Sequence, residues 1–370
     1  MPKKLHILNV VGARPNFIKI APLFREYARH PDRIKATLVH TGQHYDDAMS
    51  QVFFEDLQLP EPHIYLGVGS GSHAVQTGKI MSAFEEVLLN DRPDLVLVVG
   101  DVNSTMACTL VAAKLTIPVA HVEAGLRSFD RTMPEEINRL VTDRLADFLF
   151  TTCADADENL HREGISGQKI FRVGNTMIDS LFAVRHRFEA STMKQQLGLN
   201  GTVFGFVTLH RPSNVDDKQV FVRIGDALGE IQKHTKLLWP VHPRTRKMLE
   251  THGLTDKFQS MHNVVTTEPL SYIDSMALMA AASFVLTDSG GIQEETTVLG
   301  IPCLTLRETT ERPITITEGT NTLVGTDPSA IVEQTLKILQ GKGKRGKVPP
   351  LWDGKAAERI VQALLHTMKV

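Results

Sequence analysis

The chain has few of the residues that mark several classes of protein. Its 370 residues include three cysteines, Cys108, Cys153 and Cys303, which lie far apart in apolar or helical contexts. An odd number of cysteines without close spacing argues against a disulfide framework or a zinc site. No run approaches the ~20 apolar residues needed to cross a bilayer, and the first residues lack the length and cleavage site of a signal peptide. A reduced, cytoplasmic compartment fits these features.

A strong charge of one sign is also missing. The net charge is −2, so no strong field draws the chain toward nucleic acid or an anionic membrane. No set of His, Asp and Glu residues has the close spacing of metal ligands. The three-glycine dinucleotide fingerprint is absent after the first strand, which argues against a nicotinamide or flavin. The residues therefore support neither a nicotinamide nor a flavin site, and they give only weak support to a metal site.

Short apolar runs that read as strands alternate with segments of helical spacing nearly throughout the chain. This alternation predicts an α/β fold with parallel sheets and right-handed crossovers. Ten or more strands suit two sheets better than one, with a seam in Gly174–Leu199. We expect domains at 1–173 and 174–350, and a final helix in 351–370 that packs back on the first domain. The clearest strand runs are Leu5–Val11, Leu38–His40, Leu95–Val99, Pro118–Val122, Phe148–Thr152, Ile170–Val173, Val203–Leu209, Leu237–Val241, Val264–Thr266, Phe284–Thr287 and Cys303–Leu306.

Polar residues follow five of these runs directly. In open α/β sheets, ligands bind beyond the carboxyl ends of parallel strands. Three of the five clusters lie in the first half of the chain and two in the second, which predicts one cleft walled by two sheets. The clusters are Gly12-Ala13-Arg14, Asp101, Glu123, His210 and Asp288-Ser289-Gly290-Gly291.

The stretch Asp288–Glu295 is the strongest local signal. It runs from a strand through Ser289, Gly290 and Gly291 into a helix, where bare N–H groups bind phosphate oxygens. Glu295, one turn in, could accept both hydroxyls of a ribose. The alternative is ordinary capping, with Ser289 as the cap and acidic residues stabilising the helix dipole.

A second candidate phosphate contact lies after the first strand. Arg14 offers a planar fork for phosphate oxygens, Gly12 lets backbone approach a ligand closely, and Lys19 could add a positive charge. The alternative is a plain strand-to-helix turn with a surface arginine. Pro22 falls inside the helical pattern that follows and is expected to kink or restart the helix.

Acidic residues and histidines supply candidate proton-transfer groups. Clustered carboxylates in a closed cleft push at least one pKa upward, which suits Asp101, Glu123 and the pair Glu135/Glu136 to acid/base work. Arg127 could be the ion-pair partner of Glu123. His210 and His242 each follow a strand and could assist a leaving phosphate. Any one of the carboxylates, taken alone, is more often structural than catalytic. A lone histidine is more often a hydrogen-bonded core or rim residue, and the presence of two, each after a strand, makes the two interpretations equally open.

Together these motifs resemble the non-hydrolysing UDP-N-acetylglucosamine 2-epimerases. The matching stretches span nearly the whole chain in order, which is more specific than any single motif. They are Gly12-Ala13-Arg14-Pro15 with Lys19 and Ala21-Pro22-Leu23, His40-Thr41-Gly42-Gln43-His44, Gly100-Asp101, His121–Arg127, Met133–Arg139, Leu209-His210-Arg211, Asp288–Glu295 and Thr309–Pro313.

The resemblance implies two Rossmann-like domains facing a central cleft (the glycosyltransferase-B architecture), a homodimer and no cofactor. It implies a reaction in which UDP-N-acetylglucosamine loses UDP and the proton of the second ring carbon, and UDP then adds back to give UDP-N-acetylmannosamine. It assigns acid/base and charge-stabilising roles to Asp101, Glu123 and Glu135, and leaving-group assistance to His210. It assigns UDP contacts to Arg14, Lys19, His242, Ser289, Gly290, Gly291, Glu295 and Arg312.

Departures from the family pattern leave some points open. Asn16 stands where many relatives carry a glutamate, and Ser275 where many carry an aromatic against the uracil. Gln43, His44 and Arg211 match part of an allosteric UDP-sugar site, although Pro212 and Ser213 break the pattern after Arg211.

Alternative functions are a 2-epimerase of a UDP-diacetamido-glucuronate, a retaining UDP-sugar glycosyltransferase and a non-catalytic nucleotide-sugar sensor.

Overall fold

The structure, a computed structural model, describes residues 3–43 and 54–369. The chain divides into two compact units: unit 1 comprises Met1–Ala183 and Pro350–Val370, and unit 2 comprises Val184–Pro349. One boundary falls inside a helix that begins in unit 1, and the last residues of the chain group with unit 1. The apolar spacing over residues 46–57 predicts a helix. Most of that segment lies outside the described residues, but residues 54–57 are helical.

Unit 1 contains a seven-stranded sheet in the order β3-β2-β1-β4-β5-β6-β7. All of its neighbouring strands pair in parallel. The strands are β1 Leu5–Val11, β2 Ile34–His40, β3 Ile64–Tyr65, β4 Leu95–Val99, β5 Val119–Ala124, β6 Phe148–Thr151 and β7 Ile170–Arg172.

Unit 2 contains a six-stranded sheet in the order β10-β9-β8-β11-β12-β13, again with parallel pairing throughout. In each sheet the chain therefore forms a central strand first, adds two strands on one side of it, and then adds the remaining strands on the other side. The strands are β8 Phe204–Thr208, β9 Lys236–Pro240, β10 Val264–Thr267, β11 Phe284–Thr287, β12 Cys303–Thr305 and β13 Asn321–Leu323.

Helices follow almost every strand, as right-handed crossovers between parallel strands require. In unit 1 the helices are Arg14–Tyr27, His73–Asn90, Asn103–Lys114, Pro134–Leu145, Ala154–Arg162, Thr176–Glu189 (which continues into unit 2) and Ala356–Thr367. In unit 2 they are Met193–Gln196, Pro212–Val215, Lys218–Ile231, Pro243–His252, Thr255–Gln259, Tyr272–Ala281, Gly290–Leu299, Ile314–Thr317 and Pro328–Lys337.

The predicted fold class is confirmed: each unit is a Rossmann-like α/β domain with its own apolar core. The central strands are buried along their whole length, as for Leu95–Val99 and Phe284–Thr287. Strands covered on both faces need continuous apolar runs, which explains why they were visible in the sequence. The short strands Ile64–Tyr65 and Asn321–Leu323 were missed because two or three residues make no detectable pattern.

The strand order reverses at one point in each sheet. In unit 1 the chain leaves β1 to one side and returns at β4, and in unit 2 the same happens between β8 and β11. Ligands of open α/β sheets bind beyond the carboxyl ends of the strands at such switch points. Arg14 and Asp101 follow β1 and β4, whereas His210 and Ser289 follow β8 and β11. Each unit therefore carries candidate site residues at its own switch point.

Pro22 does not interrupt its helix, which runs from Arg14 to Tyr27. A proline inside a helix leaves the carbonyl four residues earlier without its usual donor. Here the Ser180 hydroxyl donates to that carbonyl, of Ile18, at 2.6 Å. The expected restart of the helix was wrong, because a side chain from another helix supplies the missing hydrogen bond.

The C-terminal segment is tied to unit 1 by two polar contacts. The Trp352 indole donates to the Thr152 carbonyl at 2.9 Å. The Asp179 carboxylate accepts the N–H groups of Ala356 and Ala357, at 3.1 and 2.7 Å, in the first turn of the final helix. Burial raises the pKa of Asp179 to about 6, although these two N–H groups oppose the shift.

No helix in the described part of the chain is long and apolar enough to span a membrane. The same residues contain no cluster of three or more His, Cys, Asp or Glu side chains arranged to hold a metal ion.

Candidate functional site

Glu123 lies at the end of β5, in a backbone conformation that side chains rarely adopt. Its φ is +73°, and the pairing of β5 with β6 shifts register between Val122 and Ala124, which marks a bulge. A left-handed conformation costs a non-glycine residue about 1–2 kcal/mol. Bulges often re-aim a side chain beside an active site, so this strain is consistent with a functional position.

The buried partner of Glu123 is Lys19. The Lys19 ammonium lies 2.6 Å from Glu123 Oε2, and both side chains are about 5% exposed or less. The two side chains form a buried ion pair that joins the end of β5 to the first helix. The expected partner, Arg127, pairs instead with Asp143 and Glu163. The expected pair of Arg127 with Glu123 was wrong, because Arg127, although near Glu123 in sequence, forms its ion pairs with these two other carboxylates.

Asp101 follows β4 and is held by Arg139. Nη1 of Arg139 pairs with Asp101 Oδ2, and Nη2 of the same guanidinium lies 2.5 Å from Glu136 Oε2. The Asn138 amide donates to the Asp101 carbonyl at 2.9 Å. The next residue back, Gly100, has φ +65°, and a Cβ built on it would lie 2.8 Å from the Lys19 ammonium. The ends of β4 and β5 thus lie close to the same lysine.

The pair Glu135/Glu136 divides into two different roles. Glu136 is buried, and its carboxylate accepts the N–H groups of Ser128 and Phe129, both at 3.0 Å. Although burial opposes it, these hydrogen bonds and Arg139 hold the pKa of Glu136 below its usual range. Glu135 is half-buried and makes no hydrogen bond or ion pair with the described residues. Glu136 is therefore structural, whereas Glu135 remains available for chemistry.

The turn after β1 is organised by Asn16. Its side-chain oxygen accepts the N–H groups of Gly12 and Ala13, at 3.0 and 3.1 Å, and its amide donates to the Val99 carbonyl at 3.1 Å. A Cβ on Gly12 would collide with the Ser104 side chain. The glycine is thus needed for packing, and its N–H is already used. Arg14 is half-buried at the start of the helix.

Of the proposed allosteric residues in unit 1, only Gln43 is described. It is buried, and its side-chain oxygen accepts from the N–H and the hydroxyl of Ser104, at 2.9 and 2.7 Å. His44 lies outside the described residues. The side chain of Gln43 thus links the segment after β2 to the first turn of the helix Asn103–Lys114.

His210 follows β8 and is oriented by a buried carboxylate. Its Nδ1 lies 2.9 Å from Asp288 Oδ1. The other Asp288 oxygen accepts the N–H groups of His210 and Arg211, both at 2.9 Å. Asp288 is fully buried, but the charge and hydrogen bonds of His210 hold its pKa low. A carboxylate on Nδ1 fixes the ring and leaves Nε2 as the reactive nitrogen.

His242 and Arg211 lie beside this pair. The rings of His210 and His242 are 5.4 Å apart. His242 begins the helix Pro243–His252, and its Nδ1 accepts the Arg244 N–H at 3.2 Å. Arg211 donates from Nε to the Asp288 carbonyl at 2.9 Å. The structure therefore groups three predicted residues of unit 2 at the end of β8.

The helix Gly290–Leu299 begins without a side-chain cap, since the side chain of Ser289 makes no hydrogen bond to its first turn. The first N–H groups of a helix have no partner within the helix. A Cβ on Gly290 would lie 2.5 Å from Arg312 Nη1 and 2.7 Å from Glu311 Oε1. Gly291 is half-buried. Two predicted UDP contacts, Gly290 and Arg312, are thus in direct contact.

Arg312 is held by two acids. Its Nε lies 3.0 Å from Glu294 Oε1, and its Nη1 pairs with Glu311. Arg307 also lies 2.8 Å from Glu311. Although Glu311 is buried, Arg312 and Arg307 hold its pKa well below the usual range. The guanidinium groups around this helix start therefore keep their positions before any anion arrives.

Glu295 is buried one turn inside the same helix. The Tyr272 hydroxyl donates to its Oε1 at 3.0 Å. Burial raises the pKa of Glu295 to about 8, with a further rise from Glu294 and an opposing effect of Tyr272. A carboxyl group of this kind can be neutral or charged at physiological pH, so it can adjust to the hydroxyls of a ligand.

Three side chains that organise these residues were not assigned a role from the sequence. They are Asp143, Arg139 and Asp288, which hold His121, Asp101 and His210 respectively. Asp288 was noted only as part of a motif. A helix periodicity could show that Asp143 and Arg139 face inward, but not which residue each contacts.

Comparisons with known proteins agree with this arrangement. The family model described as UDP-N-acetylglucosamine 2-epimerase matches residues 25–365. A UDP-N-acetylglucosamine 2-epimerase of Methanocaldococcus jannaschii is 42% identical, over 96% of this chain and 98% of its own. A UDP-2,3-diacetamido-2,3-dideoxy-D-glucuronate 2-epimerase of Pseudomonas aeruginosa is 40% identical, over 97% of this chain and 99% of its own.

A solved structure is similar over nearly the whole chain. It is the crystal structure of the M. jannaschii UDP-GlcNAc 2-epimerase in complex with UDP-GlcNAc and UDP. It has a TM-score of 0.91 and 42% identity, and the match covers 98% of this chain and 100% of that one.

Proposed function

Because this chain belongs to the UDP-N-acetylglucosamine 2-epimerase family, we propose that it interconverts UDP-N-acetylglucosamine and UDP-N-acetylmannosamine. The protein is an isomerase of nucleotide sugars. The observation that carries the proposal is its full-length likeness to an epimerase solved with UDP-GlcNAc and UDP.

In the proposed reaction, the bond between the anomeric carbon and UDP breaks first. The proton on the neighbouring carbon is weakly acidic in the sugar and becomes acidic as positive charge develops at the anomeric carbon. A carboxylate takes that proton and leaves an acetamidoglucal. UDP then adds back to the anomeric carbon while a proton is delivered to the other face of the second carbon. Fixed negative charge near the ring stabilises the charged transition state.

We propose that the carboxylates of unit 1 handle the proton. Glu123 is supported as a base by its ion pair with Lys19, and Glu135 by its lack of a partner among the described residues. Asp101, held by Arg139, would stabilise positive charge on the sugar. More than one carboxylate is useful because the proton leaves one face of the second ring carbon and a proton returns to the other face.

We propose that unit 2 holds UDP. Arg312 and the start of the helix Gly290–Leu299 support a diphosphate site, since bare N–H groups and a guanidinium favour phosphate oxygens. Glu295 would accept the ribose hydroxyls. His210, oriented by Asp288, would donate a proton or hydrogen bond to the departing phosphate. Arg14, Lys19, Ser289 and His242 remain proposed contacts of the same ligand.

The experiment uses pure protein and UDP-N-acetylglucosamine in heavy water, read by proton spectra. We expect UDP-N-acetylmannosamine to appear with deuterium at the second ring carbon. A retaining glycosyltransferase would incorporate none. Absence of both epimer and exchange would refute the proposal.

Single substitutions test the proposed roles of the three carboxylates. Asp101→Asn, Glu123→Gln and Glu135→Gln should each lower epimerisation by about 10²–10⁴-fold, the usual contribution of general acid/base catalysis, and keep UDP binding. Glu86→Gln, at an exposed position of unit 1, is the control. Equal loss of UDP affinity in all three variants would contradict the assigned roles.

A related sugar is a second candidate substrate. The P. aeruginosa relative that is named for a UDP-diacetamido-glucuronate is nearly as similar as the M. jannaschii enzyme. Both sugars are therefore tested in parallel, and the larger kcat/KM identifies the substrate. We also propose a homodimer acting in the cytoplasm, and light scattering on the purified protein measures its mass.

A further inference from the structure

A buried carboxylate behind Glu123 has no role in the reaction proposed above. Asp143 projects from the helix Pro134–Leu145 and is fully buried. Burial alone would raise the pKa of Asp143, but His121 and Arg127 outweigh it and hold the pKa below its usual range. The group is therefore a fixed negative charge inside unit 1.

The contacts of Asp143 lie on both sides of Glu123 along the chain. Its Oδ1 lies 2.6 Å from His121 Nδ1. Its Oδ2 accepts the Gly125 N–H at 3.0 Å and lies 2.7 Å from Arg127 Nη1. One carboxylate thus holds the residues two before, two after and four after Glu123.

The backbone between those contacts needs such support. Glu123 has φ +73° and Gly125 has φ +79°, and a Cβ on Gly125 would collide with the Ala156 backbone. Sparsely populated conformations persist only where the surroundings fix them. Asp143 supplies two anchors of this short segment, at Gly125 and Arg127. Glu163 holds the other side of Arg127 at 2.8 Å, and the Asn159 amide donates to the Gly125 carbonyl at 3.0 Å.

His121 extends the network to the neighbouring strand. Its Nε2 lies 2.7 Å from the Gly100 carbonyl, next to Asp101. A carbonyl oxygen can only accept, and so can an ionised carboxylate. The ring of His121 therefore bridges two acceptor groups and links Asp143 to the end of β4.

We propose that Asp143 is a positioning residue for the catalytic base Glu123: it fixes the bulge at the end of β5 and, through His121, its distance from the end of β4. The inference rests on the proposed function, because it assumes that Glu123 accepts the proton. Asp143 itself touches neither the sugar nor the nucleotide.

The first test is Asp143→Asn, which keeps the shape and removes the charge. We expect kcat to fall about 100-fold, as expected for a displaced catalytic group, while KM and UDP affinity stay unchanged. Asp147→Asn is the matched control. Asp147 accepts the Val119 N–H at 3.1 Å and so supports the opposite end of the same strand. Equal kcat in Asp143→Asn and wild type would overturn the inference.

A second pair of variants tests the same link if Asp143→Asn does not fold. His121→Gln keeps a donor toward Gly100 and removes the donor to Asp143, whereas His121→Asn keeps the donor to Asp143. We expect the glutamine variant to lose more kcat than the asparagine variant. The reverse order would contradict a role through Asp143.

Two further measurements do not depend on the reaction. Nitrogen spectra of wild type and Asp143→Asn should differ at the ring nitrogens of His121, because the partner of its Nδ1 changes. A crystal structure of that variant should show Glu123 outside the positive-φ region and separated from Lys19. If wild type is inactive on both sugars, the proposed function fails, and an unmoved Glu123 in the variant would still refute the positioning role separately.

Discussion

The buried carboxyl of Glu295 makes the stability of unit 2 depend on pH. The ordinary pKa of the group is 4.5, and burial in the folded state raises it to about 8. Between these values the folded protein keeps a proton that the unfolded chain has lost. The contribution of this group to the free energy of unfolding is therefore fully present below pH 4.5 and is lost as the pH rises through 8.

The size of the effect follows from that shift. Each unit of pH between the two pKa values costs about 1.4 kcal/mol, so raising the pH from 5 to 8 removes about 4 kcal/mol from the free energy of unfolding of unit 2. Glu295→Gln cannot ionise and should not lose it. The glutamine oxygen can still accept from Tyr272, so the hydrogen bond at 3.0 Å is preserved.

The assay is urea unfolding at several pH values, followed by tryptophan fluorescence. The chain has two tryptophans: Trp239 lies in the core of unit 2, and Trp352 lies in unit 1. Both proteins are therefore compared in a Trp352→Phe background, which leaves Trp239 as the reporter. Glu250→Gln, at an exposed position of unit 2, is the control and should behave as wild type.

Parallel stability curves for wild type and Glu295→Gln between pH 5 and 8 would refute the buried ionisation. The proposed ribose contact adds a second readout, since hydroxyl donors favour the charged carboxylate. Relative to Glu295→Gln, the UDP affinity of wild type should rise between pH 7 and 8. A constant ratio would argue against the ribose contact and leave the stability result intact.

Two more predictions concern other sites. Gly290→Ala should weaken UDP binding, seen by calorimetry, because the new Cβ would lie 2.5 Å from Arg312 Nη1; unchanged affinity would contradict the proposed diphosphate site. Burial lowers the pKa of His40 from 6.5 to about 4, so unit 1 should lose about 3 kcal/mol as the pH falls through this range. His40→Asn should remove that loss in acid unfolding followed by Trp352, and an unchanged acid midpoint would be inconsistent with a neutral, buried His40.

The sequence was most informative where strands are continuous and apolar. Leu95–Val99 and Phe284–Thr287 appear in the structure with the predicted bounds. Residues placed directly after such strands, such as Asp101 and Ser289, lie at the switch points of the sheets because parallel strands all end at the same edge. The local sequence pattern and the topology of parallel sheets together are enough to predict where these residues lie.

Pairing between distant segments was the part that pattern reasoning missed. Arg127, four residues from Glu123, was the expected partner, whereas Lys19, about a hundred residues away in sequence, forms the ion pair. The left-handed conformation of Glu123 was also unforeseen, because such a conformation persists only where the surrounding structure fixes it, and that structure is not visible in the local sequence.

The amino-acid sequence by itself determined the two α/β units, the order of their motifs and the family. Apolar runs and turn residues favour strands, helices and turns through local interactions, so their patterns can be recognised in the amino-acid sequence alone. Only the tertiary structure decided which buried polar side chains contact each other, as in Lys19 with Glu123 and Glu295 with Tyr272. Burial strengthens such interactions and shifts pKa values, and burial is a property of the folded chain alone.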